Sequence, residues 1–122
     1  MNTILVIEDN KEIRENVCEL LQLEGYNVLF AVNGKLGLAL AKESHPDLIL
    51  CDIWMPEMGG YEVFNDLKKE AATSTIPFVF VTASADRREV EIGLNMGAHA
   101  YIRKPFQEQE LFDTIKECLK IA

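Results

Sequence analysis

The sequence predicts an α/β domain: five parallel strands alternating with five helices that cover both faces of one sheet, a doubly wound fold. Three observations predict it. Unbroken apolar runs recur at residues 4–7, 48–51 and 78–81, as strands buried on both faces require. Between them, apolar residues repeat at helical spacing. The connections are short, so each helix must cross back over the sheet and leave neighbouring strands parallel.

The first strand is Ile4-Leu5-Val6-Ile7, with Glu8-Asp9-Asn10 at its carboxyl end. Asn10 is placed to cap a helix. Ile13, Val17, Leu20 and Leu21 form one face of that helix, and Gly25 can end it. Residues 26–32 read as a second strand, less uniformly apolar and so nearer an edge. Asn33-Gly34 is a turn signal. Residues 35–44 are the second helix, broken by His45-Pro46-Asp47.

The central strand, residues 48–51, ends on Asp52. After Met55-Pro56 and Gly59-Gly60, a third helix carries Val63, Phe64, Leu67 and Ala71 as its stripe. Thr73-Ser74-Thr75 reads as a loop. Residues 78–82 are aromatic and β-branched, the composition of a strand. Asp86-Arg87-Arg88-Glu89 resembles a capping box for a fourth helix that runs to about Met96 and closes at Gly97. On that helix, either Val90, Gly93, Leu94 and Gly97, or Ile92 and Met96, must face the sheet. Residues 99–102 are the fifth strand. Leu111, Ile115, Cys118 and Leu119 mark a fifth helix.

At 122 residues and 48% hydrophobic, the chain is one domain, residues 1–122, with enough apolar material for a core. Twelve basic against 20 acidic residues give a net charge of −8, which argues against nucleic-acid binding and against anionic membranes. Cys18, Cys51 and Cys118 are odd in number, widely spaced and free of any C-x-x-C pattern. They read as small buried apolar residues in a reducing compartment. The first apolar run is too short for a signal peptide, and no stretch is long enough to span a membrane, so a cytoplasmic protein is expected.

In a doubly wound sheet the carboxyl ends of the strands meet on one rim, where such folds place their chemistry. That rim should hold Glu8 and Asp9, Asp52, Thr82 with Ala83, and Lys104. Two carboxylates about 4 Å apart repel by roughly 4 kcal/mol at an effective dielectric near 20. A hard divalent cation offsets this, and Mg²⁺ suits carboxylate oxygens beside a phosphate. With a cation, the Lys104 ammonium and a hydroxyl around it, Asp52 could attack phosphorus and become an aspartyl phosphate.

Each residue also has a plain structural reading. Asp52 could close a strand in solvent. Glu8-Asp9 could be an acidic pair at a helix N-terminus. Thr82 could be one more β-branched residue, and Tyr101 an ordinary amphipathic strand residue. Trp54 reads as a loop aromatic, and His45 and His99 as structural, neither with a metal-spaced partner. The register of all the rim positions together favours the chemical reading over these.

Taken in order, Ile-Leu-Val-Ile-Glu8-Asp9, Asp52-Ile-Trp-Met-Pro56 with Gly59-Gly60, Val-Thr82-Ala83, and Gly97-Ala98-His-Ala-Tyr101-Ile-Arg-Lys104-Pro105-Phe106 resemble a response-regulator receiver domain of two-component signalling. The resemblance covers essentially the whole chain. It implies a CheY-like, flavodoxin-like sheet of order 2-1-3-4-5 and a phosphorylation switch rather than a free-standing enzyme. It implies Asp52 as phosphoacceptor and Mg²⁺ as cofactor. Asp9 would be a direct ligand, Glu8 would act mostly through a metal-bound water, and the Trp54 carbonyl would be the third protein ligand. Thr82, the Ala83 amide and Lys104 would take phosphoryl oxygens. Lys104-Pro105 matches the family's cis peptide, and Thr82 with Tyr101 its switch pair.

The implied partners are a sensor histidine kinase or phosphotransfer protein and an unidentified output partner. A phosphorylation-dependent homodimer through the fourth helix, fifth strand and fifth helix is a further expectation. The chain would be either a stand-alone receiver or the receiver of a longer regulator or hybrid kinase. Glu8 stands where Asp is common. Trp54 and Ser84 occupy positions that tune the loss of the phosphoryl group, and bulky Trp54 is expected to shield it from water. A haloacid-dehalogenase-type phosphatase would need an acid at position 54. A flavodoxin-like electron carrier would need a Ser/Thr/Gly-rich phosphate loop where Glu8-Asp9-Asn10-Lys11-Glu12 stands.

Overall fold

The computed structural model describes residues 2–83 and 87–121. Five strands form one parallel sheet: β1 (Thr3–Ile7), β2 (Asn27–Ala31), β3 (Leu48–Asp52), β4 (Phe78–Thr82) and β5 (Ala100–Arg103). Their order is β2-β1-β3-β4-β5, so β2 is an edge strand as its mixed composition suggests. The register pairs Ile7 with both Ala31 and Cys51, Asp52 with Val81, and Thr82 with Arg103. The carboxyl ends of β1, β3, β4 and β5 are therefore level at one rim.

The helices are α1 (Lys11–Leu23), α2 (Gly34–Ser44), α3 (Gly60–Lys68), α4 (Ala71–Ser74), α5 (Arg87–Asn95) and α6 (Glu108–Ile121). Alternate strand residues feed two cores, because successive side chains leave a strand on opposite faces. Ile4, Val6, Leu48, Leu50, Val79, Val81 and Ile102 pack with Val17 and Leu21 of α1 and with Leu111 and Ile115 of α6. Leu5, Ile7, Ile49, Cys51, Phe78 and Phe80 pack on the other face with Ala41 of α2 and Val63, Phe64 and Leu67 of α3. Phe64, Phe78 and Phe80 meet edge-on or tilted at 5.0–5.7 Å between centroids, the arrangement ring quadrupoles favour.

Several boundaries differ from the sequence reading. Asn33 is a helix cap rather than half of a turn: its Oδ1 accepts from the Leu36 amide at 2.8 Å, so α2 begins at Gly34. The third helix stops at Lys68, and residues 71–74 form the separate turn α4 where a loop was expected. The buried Thr73 hydroxyl donates to the Leu67 carbonyl at 2.7 Å, which satisfies one open carbonyl at the end of α3. The fifth strand starts one residue late, at Ala100, although the His99 amide already donates to Phe78 O. On α5 neither expected stripe faces the sheet whole. Gly93 is buried and Met96 packs on the second core, whereas Ile92 and Leu94 are exposed. The expected cap at Asp86 and the position of Ser84 lie outside the described residues. Cys51 and Cys118 are buried, Cys18 is half-buried, and all three thiols are free. No described helix is long and apolar enough to cross a membrane.

Candidate functional site

β1 delivers Glu8 and Asp9 to the rim. Glu8 follows the last strand residue and is buried, held from two sides. Its Oε2 accepts from the Asn10 amide at 3.3 Å, and its backbone carbonyl accepts from Arg14 Nη1 at 3.0 Å. Asn10 also caps α1, its Oδ1 accepting from the Ile13 amide at 3.0 Å. One short polar turn thus starts the helix and fixes the first acid. Asp9 is exposed beside it.

Asp52 is the last residue of β3 and is 8% exposed. Lys104 reaches it from the far edge of the sheet. The Lys104 amide donates to Thr82 O at 2.7 Å, which ties the end of β5 to the end of β4. The peptide that follows, Lys104-Pro105, is cis, as the sequence pattern implies. The Lys104 ammonium then bridges two carboxylates, donating to Glu8 Oε1 at 2.5 Å and to Asp52 Oδ2 at 3.3 Å. All three side chains are at least 87% shielded from solvent, so these charge-assisted bonds escape most of the screening that weakens surface pairs.

Glu8, Asp9 and Asp52 each offer a carboxylate oxygen, and these oxygens lie within 4.8 Å of one another. Lys104 supplies one positive charge against three negative ones. The pKa of Asp9 is raised, first by partial desolvation where its carboxylate meets the cleft and then by the Glu8 carboxylate beside it. A compact group of carboxylate oxygens with uncompensated charge fits a hard divalent cation, which prefers oxygen ligands and repays the repulsion. Glu8, Asp9 and Asp52 could hold one, with backbone oxygen from the loop after β3 to add to them.

The other expected residues fall around this centre. Thr82 is fully buried at the end of β4, and Ala83 follows it in the exposed loop. Trp54 is 62% exposed in the loop that leaves β3. Tyr101 is half-buried on β5, two residues below the Thr82–Arg103 pair and so on the same face, its ring 6.4 Å from that of Phe80. Sequence reasoning assigned Lys104 to a phosphoryl oxygen and missed its bond to Glu8. It also missed Arg14 behind Glu8, a long-side-chain contact that residue spacing does not reveal. A groove of about 460 Å³, lined by Glu12, Ile13, Asn16, Lys104, Pro105 and Phe106 among others, opens beside the acids.

The response regulator receiver domain model matches residues 4–116. The chain belongs to that family. It is thus a receiver domain of two-component systems, a phosphoacceptor module by class. Protein PilH of Pseudomonas aeruginosa is 36% identical over 119 residues, covering 98% of both chains. Histidine kinase P4 of Formosa agariphila is 41% identical over 98% of this chain, which spans 9% of the kinase's length. This receiver also spans only about half the length of other curated relatives it matches. The receiver domain of the sensor histidine kinase PA1611 from Pseudomonas aeruginosa superposes with a TM-score of 0.90 at 26% identity, covering 98% of each chain. That structure is described as having a magnesium ion coordinated in its active-site cleft. The five-stranded order and the acid cluster of this receiver agree with these relationships.

Proposed function

We propose that this receiver takes a phosphoryl group onto Asp52 from a phosphohistidine, in a Mg²⁺-assisted step, and that the acyl phosphate shifts its conformation toward a form read by an output partner. The observation that carries this reading is the cluster itself: three carboxylates within 4.8 Å and a shielded ammonium on two of them, at the rim where strand ends converge.

Asp52 is the nucleophile. It ends a strand buried along its whole length, so its backbone is fixed and only its carboxylate meets the cleft. An Asp52 oxygen attacks phosphorus in line. The P–O bond forms as the P–N bond to the donor imidazole breaks, and the electron pair returns to that nitrogen. Mg²⁺ held by Glu8, Asp9, Asp52 and the Trp54 carbonyl would supply neutralisation of the equatorial oxygens. The Thr82 hydroxyl and the Ala83 amide donate to phosphoryl oxygens, and Lys104 exchanges a carboxylate for a third one.

Thr82 and Tyr101 share one face of the sheet, two residues apart in register, which supports their pairing as a switch. Movement of Thr82 toward the phosphoryl group opens space for the Tyr101 ring. Exposed Ile92 and Leu94 on α5 adjoin that strand and supply apolar surface for an output partner, or for a second copy meeting through α5, β5 and α6. A sensor kinase or phosphotransfer protein in the cytoplasm is the donor in this reading. Loss of the phosphoryl group to water is the only other reaction the site performs.

The test is intact-mass measurement after exposure to acetyl phosphate with Mg²⁺, on the wild type and on Asp52→Asn. The expected result is the mass of one phosphoryl group on the wild type, absent without Mg²⁺ and absent in Asp52→Asn. An equal adduct on Asp52→Asn would place the acceptor elsewhere and refute the assignment.

A further inference from the structure

The loop between β3 and α3, residues 53–59, is closed at three points. At its mouth the Gly60 amide donates to Ile53 O at 2.9 Å. A β-carbon on Gly60 would lie 2.5 Å from the Asp52 carbonyl oxygen, so only glycine lets α3 begin this close to the acceptor's own peptide. At its tip the Met58 amide donates to Pro56 O at 2.8 Å, around Glu57 at a φ of 68°. This is a three-residue turn of the rare left-handed kind. Such a backbone is uphill for a residue with a side chain and persists only where its surroundings hold it.

The third point comes from a different strand-helix unit. Gly34, the first residue of α2, is buried. A β-carbon there would overlap the Met58 carbonyl oxygen and lie 3.0 Å from Met58 Cγ and from Val63 Cγ2. The same helix is seated on the sheet independently, since Gly37 lies against the Ile7 side chain. α2 thus has a second, separate seat on the sheet. The effect of the Gly34 contact falls on the carbonyl that leaves the strained turn.

We propose that Gly34 is a positioning residue for the cation site. By admitting the N-terminus of α2 against the Met58 carbonyl, it holds the turn at Glu57 closed, fixes the path of residues 53–59, and so sets where the Trp54 carbonyl stands relative to Glu8, Asp9 and Asp52. This rests on the reading of those four groups as ligands of a divalent cation. It adds that the site's geometry is controlled from α2, which supplies no ligand. The tightest contact of a β-carbon at position 34 is with backbone, not with the end of a flexible side chain, so a rotamer change at Met58 or Val63 does not relieve it and the loop must give way.

The experiment is calorimetric titration of the protein with Mg²⁺, with emission of Trp54, the lone tryptophan, as a second readout. Gly34→Ala is expected to weaken Mg²⁺ binding about tenfold, the low end of what groups behind the ligands cost a metal site. Ile115→Val, a buried change on the opposite face of the sheet, is expected to lower thermal stability while keeping Mg²⁺ affinity. Two variants at exposed Glu57 approach the same turn without touching the core. Glu57→Gly and Glu57→Val both remove the charge, but glycine takes a positive φ without strain and valine does not. Weaker Mg²⁺ binding by Glu57→Val than by Glu57→Gly supports the proposal, and serves as its test if Gly34→Ala does not fold. Wild-type affinity in Gly34→Ala, or equal affinity in the two Glu57 variants, overturns it and leaves the cation site standing. No Mg²⁺ binding by the wild type overturns both.

Discussion

Replacing Lys104 by methionine keeps a straight apolar stem and removes only the ammonium. The repulsion between the charges it would leave behind is large on the scale of about 5–15 kcal/mol that holds a typical domain folded. Glu8 and Asp52 are at least 90% shielded at their side chains, and their nearest oxygens lie within 4.8 Å. Two unit charges at that separation repel by about 3.5 kcal/mol at an effective dielectric near 20. Breaking a buried ion pair from one side costs about 3–5 kcal/mol in general. The site opens to solvent at Asp9, which places the expected loss near the low end, about 3 kcal/mol. For a chain of this length that lowers the melting temperature by roughly 10 °C. The assay is urea unfolding of wild type and Lys104→Met, each in EDTA and in Mg²⁺. In EDTA the variant should lose about 3 kcal/mol. Added Mg²⁺ should recover part of that loss, because a cation among the carboxylates takes over the neutralisation, and it should raise the variant's midpoint more than the wild type's. A loss under about 1 kcal/mol in EDTA, the value of an exposed pair, would mean that water already screens the cluster. An identical Mg²⁺ increment in both proteins would mean that Lys104 and the cation do not share the same charges.

Three further outcomes are expected. Thr73→Val removes a buried hydroxyl that donates to Leu67 O at 2.7 Å, and should cost about 1 kcal/mol in urea unfolding, since that carbonyl then keeps only the long 3.4 Å bond from the Glu70 amide. His99 is held neutral: burial first and the Lys68 ammonium second lower its pKa below the ordinary 6.5, and its Nδ1 accepts from the Phe78 amide at 3.4 Å. Because the unfolded chain protonates His99 more readily, its contribution is complete above pH 6.5 and is lost as pH falls through the lower folded value. His99→Gln should flatten the unfolding midpoint between pH 7.5 and 5 relative to the wild type, and an unchanged slope would rule His99 out as the cause. Trp54→Asn should shorten the lifetime of the phosphorylated protein several-fold in a mass time course, since it replaces a bulky ring two residues after the proposed acceptor with a small polar group. An unchanged rate would remove Trp54 from the control of hydrolysis.

What the sequence made legible was whatever strand periodicity and strand ends determine. Apolar runs located β1, β3 and β4, and a parallel sheet levels their carboxyl ends, so Glu8, Asp52, Thr82 and Lys104 could be placed on one rim without coordinates. What stayed hidden depends on side-chain reach or on close approach between elements far apart in the chain. Lys104 is 96 residues from Glu8, and no spacing rule says that its ammonium chooses Glu8 as well as Asp52. Asn33-Gly34 read as a turn because the same two residue types serve a turn and a capped helix start. Only the Leu36 amide on Asn33 Oδ1 and the Met58 carbonyl against Gly34 separate the two. α4 was missed because its one turn is held by the Thr73 hydroxyl rather than by an apolar stripe.

The bond between Lys104 and Glu8 bears directly on how such a site can be poised. Glu8 holds the ammonium closely at 2.5 Å, while the 3.3 Å contact to Asp52 is near the limit of a hydrogen bond. If Asp52 is the acceptor, as proposed, this leaves most of its lone pairs for phosphorus, with the ammonium held on the neighbouring acid. On the proposed reading, a phosphoryl group on Asp52 would ask Lys104 only to swing from one oxygen to another within the same shielded pocket, with its backbone amide already tied to Thr82 O. A site organised this way meets the developing negative charge with a cation already desolvated, which is where preorganised electrostatics give the most. It also explains why the first acid can be glutamate. Its longer side chain lets a buried carboxylate at the end of β1 accept from Asn10 on one oxygen and from Lys104 on the other. Glu8→Asp should then loosen the hold on Lys104 and bring the ammonium closer to Asp52, a change measurable as slower phosphorylation by acetyl phosphate at fixed Mg²⁺. An unaltered rate would show that Glu8 serves the cation alone and that the Lys104 bridge has no part in readying the acceptor.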